Sequence, residues 1–283
     1  MSDQITHHFI IGLPETGKTT FLAALWHVVV SREIEGALHL KELHGDHGYL
    51  NDIRDHWVSC EPIGRTQQRA EQVQLSMRLA DANDHFAAEL IFPDLSGESF
   101  KALWKDRVWR ERYDQLARKA SGALLFIHPD KVIEPTRINE ILIPDELDDD
   151  DDSPLSSWNR NWNADDAPTQ VKLVEFLQFF THDPAVYPLR RVAVMISAWD
   201  VVRENIKPSQ WLERRLPLLY QYLEGNNHRL ASRIYGLSAQ AGDLERDAVK
   251  LRNYLSHSER IQILGEDCLE HDITAPIKWL MNT

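Results

Sequence analysis

The chain has 283 residues and 43% hydrophobic content, enough for a buried core, so global disorder is excluded; the length suits one domain, with room for large insertions. A formal net charge of −13 argues against a general nucleic-acid surface, which needs clustered Lys and Arg. Two cysteines, Cys60 and Cys268, give neither a disulfide framework nor a metal-ligand spacing, no apolar run reaches about 18 residues, and the first residues lack a basic-then-apolar leader; a cytoplasmic protein without a transmembrane segment is expected.

Residues 5–11 read as a buried strand and 18 to about 32 as a helix of apolar spacing. Between them Gly12, Gly17, Lys18 and Thr19 fit G-x-x-x-x-G-K-[ST], the phosphate-binding loop. The backbone N–H groups of such a loop wrap a diphosphate, and its glycines let the chain pass close to it. Gly12, Glu15, Thr16, Gly17, Lys18, Thr19 and Thr20 are therefore the expected nucleotide-binding residues. The positive end of the helix adds to the field, Lys18 is placed to reach the β- and γ-phosphates, and the Thr19 hydroxyl to ligate Mg²⁺.

From about 35 to 70 the chain is polar, His-rich and weakly periodic, with a helix possible over 49–57. His44, Asp46, His47 and His56 match no closed zinc pattern. Residues 72–79 and 85–92, joined by Asp81-Ala82-Asn83-Asp84, read as an antiparallel hairpin. The second strand runs into Asp94-Leu95-Ser96-Gly97-Glu98, a D-x-x-G at the strand end where doubly wound sheets bind ligands. Asp94 there can hold Mg²⁺ through water, and the Gly97 N–H can meet a γ-phosphate.

A helix is expected over 99–120, where Arg107, Arg110 and Arg112 read as a solvated face. Residues 123–127 are wholly apolar, as in a central parallel strand. Residues 132–168, with consecutive aspartates from Asp148 to Asp152, read as an acidic, mobile insertion. Beyond it a helix over 170–180, a strand over 191–196 ending in Ser197-Ala198-Trp199-Asp200, a helix over 208–224 and a strand over 233–237 complete the alternation. A short apolar segment at 261–264 and a closing helix over 275–281 follow. The fold class is α/β, a three-layer P-loop NTPase domain over 1–283 with a mixed, mostly parallel sheet and one antiparallel hairpin, flanked by helices.

This order of motifs resembles the Ras-like GTPases of the translation-factor superclass. The resemblance implies GTP/GDP and Mg²⁺ as ligands and a first-switch threonine at Thr66 that holds Mg²⁺. Asp200 takes the place of the guanine-reading aspartate of N/T-K-x-D, although Ser197 and Ala198 replace the usual Asn/Thr and Lys. Ser238-Ala239-Gln240 matches the S-A-K loop that meets guanine O6. Glu98 stands where relatives place a water-orienting glutamine. Lys18, Glu98 and Thr66 are thus the implied catalytic residues, with Thr19, Thr66 and Asp94 on the metal and Gly97, Asp200, Ser238 and Ala239 on the nucleotide. Gly12-Leu13-Pro14 with the rest of its loop, the D-L-x-G-E switch and Ile273-Thr274-Ala275-Pro276-Ile277-Lys278-Trp279-Leu280 also look like the bacterial double-GTPase group of conflict systems. That placement implies a slow GTP-hydrolysing switch that acts on a protein effector, one encoded in the same operon included. A non-hydrolysing nucleotide-bound scaffold and an ATP-dependent kinase or ATPase stay open as alternatives.

Overall fold

Strand β1, Gln4–Gly12, lies inside an eight-stranded sheet whose other members are β2 (His39–His44), β3 (Leu75–Ala80), β4 (Phe86–Phe92), β5 (Gly122–Ile127), β6 (Arg191–Ser197), β7 (Ala231–Ser238) and β8 (Gln262–Leu264). The computed structural model describes residues 4–64, 75–83, 86–94, 97–108, 111–135, 163–183, 185–244, 246–254 and 256–282. The strands run in the order β2-β3-β4-β1-β5-β6-β7-β8. Pairing is parallel from β4 through β7, and β2, β3 and β8 are antiparallel to their neighbours.

The helices are α1 (Lys18–Ser31), α2 (His47–Ser59), α3 (Glu98–Asp106), α4 (Glu111–Ala117), α5 (Thr169–Thr181), α6 (Pro208–Arg215), α7 (Pro217–Gly225), α8 (Ala248–Arg252) and α9 (Ala275–Met281). A strand's side chains alternate between faces, and both faces here are buried. Ile10, Leu124, Phe126 and Met195 pack toward α1, α2 and α9, whereas Phe9, Ile11, Leu125 and Val194 pack toward α3 to α7. That double burial is why these strands are continuously apolar in sequence. No described helix is long and apolar enough to cross a membrane.

Because β4, β1, β5, β6 and β7 are mutually parallel, their C-terminal ends share one edge. The loops that follow them carry the phosphate loop, Asp94, His128, Asp200 and Ser238 to that edge.

Three elements differ from expectation. The polar stretch at 35–70 contains strand β2, which sits at the sheet edge and so needs no apolar alternation; a bulge between Leu40 and Glu42 shifts its register on β3. The single helix expected over 99–120 is two helices, because Arg107 takes a left-handed conformation (φ 55) and caps α3. The helix over 208–224 breaks at Leu216, since Pro217 lacks an N–H and restricts the residue before it. One amide in the first turn of α7, that of Leu218, donates instead to Gln170 Oε1 of α5 at 2.8 Å.

Of the segment 132–168, expected to be an acidic insertion, residues 136–162, including the aspartate run, lie outside the described residues. Its two ends meet: Ile133 N donates to Thr169 Oγ1, and Thr169 N to Ile133 O, both at 2.9 Å. The closing segment anchors α9. Thr274 Oγ1 accepts from Leu38 N at 3.0 Å, buried Asp272 binds Thr274, and Trp279 lies 5.3 and 5.4 Å from the guanidinium groups of Arg191 and Arg233.

Candidate functional site

The chain leaves β1 at Gly12 and turns back on itself before α1. Two left-handed residues make the turn, Glu15 (φ 59) and Gly17 (φ 84), and Gly17 is the N-cap of α1. There is no room for side chains at its two framing glycines. A Cβ on Gly12 would stand 2.8 Å from Thr16 Oγ1, and one on Gly17 would stand 3.0 Å from Ser197 Oγ. Thr16 Oγ1 closes the loop by donating to Leu13 O at 2.8 Å.

Lys18 is buried in this loop. Its Nζ donates to Leu13 O at 2.7 Å, Gly12 O at 3.0 Å and Thr16 Oγ1 at 3.4 Å. Burial pushes its pKa down to about 8, against the opposing pull of the Asp94 and Glu98 carboxylates. Thr19 and Thr20 follow, half-buried, in the first turn of α1. Glu15 points outward instead, and its carboxylate pairs with Lys131 at 2.7 Å.

Asp94 comes two residues after β4, is buried, and accepts from Ser99 N at 2.6 Å, which ties it to the start of α3. Gly97 (φ 81) caps that helix and presses on the phosphate loop: a Cβ there would meet the Leu13 carbonyl carbon and Pro14 N, each at 2.6 Å. Glu98 is the first residue of α3. Thr66 lies outside the described residues.

At the end of β6, Ser197 is buried against Gly17 and donates to Ile127 O at 3.2 Å. Ala198 is left-handed (φ 46), which turns the chain so that Asp200 is exposed on the sheet edge. Trp199 lies across Gly236 of β7, where a Cβ would stand 2.5 Å from its ring; its small neighbour makes room for it. Ser238, buried at the end of β7, donates to Asp200 Oδ1 at 2.5 Å and accepts from Ala241 N at 3.0 Å. Ala239 O accepts from Trp57 Nε1 at 2.9 Å.

A cavity of about 710 Å³ joins these parts: Gly17 and Thr20 line one end, Asp200, Ala239 and Gln240 the other. Its volume falls within the range of small-molecule and cofactor sites.

The sequence model of the family described as Double-GTPase 1 matches residues 9–280, almost the whole chain. The chain belongs to the Double-GTPase 1 family. It is accordingly a P-loop protein of a GTP-binding family. No curated protein matches it. Among solved structures it is similar to the S. cerevisiae Ski7 GTPase-like domain bound to GTP, at 11% identity and a TM-score of 0.44, over 99% of this chain and 51% of that one. It is also similar to the bacterial selenocysteine-specific elongation factor EF-Sec, at 14% identity and a TM-score of 0.36, over 88% of this chain and 27% of that one. The chain thus spans about half or less of these two proteins.

In this Double-GTPase 1 chain, His44, Asp46, His47 and His56 are not gathered into a metal cluster. The trio brought within reach of one another among the described residues is His27, Glu33 and His257, and Glu33 there already accepts from the Ser256 and Ser258 hydroxyls at 2.6 and 2.8 Å. Sequence reading passed over His128 and Asp130, which line the cavity after β5; their signal was the apolar run at 123–127, whose C-terminal end falls on the ligand edge. It also passed over Trp57, for which a buried tryptophan far from every motif gave no signal.

Proposed function

We propose that this protein is a Mg²⁺-dependent GTP-binding switch of the cytoplasm that slowly hydrolyses GTP to GDP and controls a protein partner, within a bacterial defence system. What supports it above all is the cavity, which joins the end of the phosphate loop to Asp200 and Ala239. Residues 1–283 form one domain in this reading, and 132–168 leave and rejoin it where Ile133 meets Thr169.

Lys18 places its ammonium on the β- and γ-phosphate oxygens, helped by the backbone N–H groups of residues 12–20, Gly12, Glu15, Thr16 and Gly17 among them. Thr19, Thr66 and Asp94 are hard oxygen donors, and Asp94 is buried beside Lys18, a set that suits Mg²⁺. Bound there, the ion would neutralise charge on the β- and γ-oxygens. Gly97 lies against the phosphate loop, where its N–H can report a γ-phosphate to α3. Glu98 stands in the place of a water-orienting group; its negative charge repels the phosphate, which keeps turnover slow. Asp200, held by Ser238, accepts the guanine N1–H and N2–H₂, a pairing that adenine cannot make.

One observation favours a second reading, a nucleotide-stabilised scaffold without turnover: a carboxylate, Glu98, opens α3 where a water-orienting glutamine would stand. Tight GTP binding with no phosphate release, partner present, would select it.

Calorimetry with Mg²⁺ tests the main reading, with GTP, GDP and ATP on wild type and Asp200→Asn. Wild type is expected to prefer guanine nucleotides by about 100-fold, the worth of two hydrogen bonds to a charged group, and the variant to lose that preference. ATP binding as tightly as GTP, unaffected by the substitution, would overturn it.

A further inference from the structure

A second cluster of chemistry-bearing side chains lies beyond the cavity, toward the C-terminal end of α1. His27, in the second half of that helix, is buried, and Arg32, left-handed at φ 58, ends the helix and turns the chain. The turn brings the Glu33 carboxylate back onto His27, with Nε2 and Oε1 3.1 Å apart. A short 3₁₀ helix before β8, His257–Arg260, supplies the third member. The His257 ring meets the His27 ring edge-on, centroids 5.6 Å apart. One nitrogen of each histidine and one Glu33 oxygen all lie within 4.8 Å of one another.

The two Glu33 oxygens have separate partners. Oε2 accepts from the Ser256 hydroxyl at 2.6 Å, the Ser258 hydroxyl at 2.8 Å and Ser258 N at 3.4 Å, which leaves Oε1 turned to His27. Ser256-His257-Ser258 thus delivers one candidate ligand together with the hydrogen bonds that orient another, as the groups behind a metal's ligands do. The protonation states also suit a cation, which takes neutral imidazole and ionised carboxylate. Burial pushes the His27 pKa below its ordinary value, against the pull of Glu33. Burial pushes Glu33 the other way, but the Ser256 and Ser258 hydrogen bonds and the His27 ring outweigh it and hold the carboxyl at about 2. Arg54, a cation that acts on His27, is itself paired with Asp55 at 2.7 Å. In a tetrahedral site bonded at about 2.0–2.2 Å, neighbouring ligand atoms stand about 3.3 Å apart. The His27–Glu33 pair is close to that separation, and half-buried His257 has to close by about 1.5 Å at most.

We propose that His27, Glu33 and His257 form a binding site for a zinc-class divalent cation, with water as the fourth ligand. The ion takes the place of the proton between His27 Nε2 and Glu33 Oε1, and the ring keeps its proton on Nδ1. Two imidazoles favour such a metal over the hard Mg²⁺. Bound there, it clamps the end of α1 to the segment before β8, joining parts of the chain that lie 223 residues apart at Glu33 and Ser256. None of the three ligands lines the cavity, and the inference does not rest on the nucleotide reading.

The test is Zn²⁺ binding to the full chain without nucleotide, by competition with a chromogenic chelator, for wild type, His257→Ala and Glu33→Gln. Wild type should bind one equivalent with a Kd of about 1 μM or tighter, and each variant should bind it about 100-fold more weakly. Zinc should also raise the thermal midpoint of wild type and leave that of His257→Ala where it was. Co²⁺ in place of zinc should give the strong visible absorption of a four-coordinate ion in wild type and not in His257→Ala. Zinc held as tightly by His257→Ala as by wild type would sit on exposed imidazoles such as His44 or His56, and would overturn the proposal. Wild type that takes up no equivalent at about 100 μM zinc would overturn it as well. Where Glu33→Gln does not fold, His257→Ala, at a half-buried position, decides by the same ratio.

Discussion

The two ends of the cavity are built differently. At the phosphate end, the contacts that shape the loop lie within residues 12–18: Thr16 closes onto Leu13, Lys18 onto Gly12 and Leu13, and Gly17 caps the helix that follows. At the base end, Asp200 leans on Ser238, Ala239 on Trp57, and Trp57 on Arg260, each from a different part of the chain. On the function proposed, a short segment supplies the charge-binding cradle unaided, whereas discrimination between bases depends on long-range packing. The first should respond to substitution without regard to the base, the second through base preference alone.

The sharpest break is Lys18→Ala. It removes the ammonium that the proposed function places on the phosphates, and GDP and ADP should both weaken by about 100-fold or more, with their ratio unchanged. GTP binding as tight as wild type would dismantle the phosphate end as described.

A pH titration sharpens the same contrast. Lys18 has its pKa pushed down to about 8 by burial, and an anionic phosphate beside it favours the charged form. Below about pH 8 the ammonium is present in the free protein and affinity is flat. Above it, binding must take up a proton, so GDP affinity should fall by about eightfold between pH 7.5 and pH 9. The free fold moves the other way, gaining stability from about pH 8 upward, because the unfolded chain keeps its Lys18 proton to higher pH. Calorimetric affinities and denaturation midpoints across that window check both signs; a flat affinity would refute the coupling.

The smallest effect belongs to Ser238→Ala. Loss of the hydroxyl that holds Asp200 Oδ1 at 2.5 Å should cut guanine preference by about fivefold and leave ADP binding alone, as expected for one hydrogen bond. Equal weakening of GDP and ADP would mean that Ser238 serves the fold rather than the base.

Legibility in the sequence followed the same division. The phosphate loop was readable because spacing and chemistry sit in one short run, and the buried strands because double burial leaves unbroken apolar sequence. Asp200 and Ser238 became visible only through a resemblance that set two distant strand ends side by side. Trp57 had no such pointer: its partner carbonyl belongs to Ala239, and no periodicity links them. Strand β2 was hidden because an edge strand can be polar. The break at Pro217 carried its own signal, while Arg107 ends α3 in a left-handed turn that its residue type does not announce.

The edge strand β2 also bears on how the molecule behaves at high concentration. An outer strand offers a row of backbone donors and acceptors to any passing chain. Here the bulge between Leu40 and Glu42 kinks that row, Glu42 is tied to Arg78 at 2.8 Å, and Lys41 stands exposed beside it. A bent, charged border is a poor template for a further strand, and on a chain of net charge −13 it disfavours edge-to-edge stacking of copies.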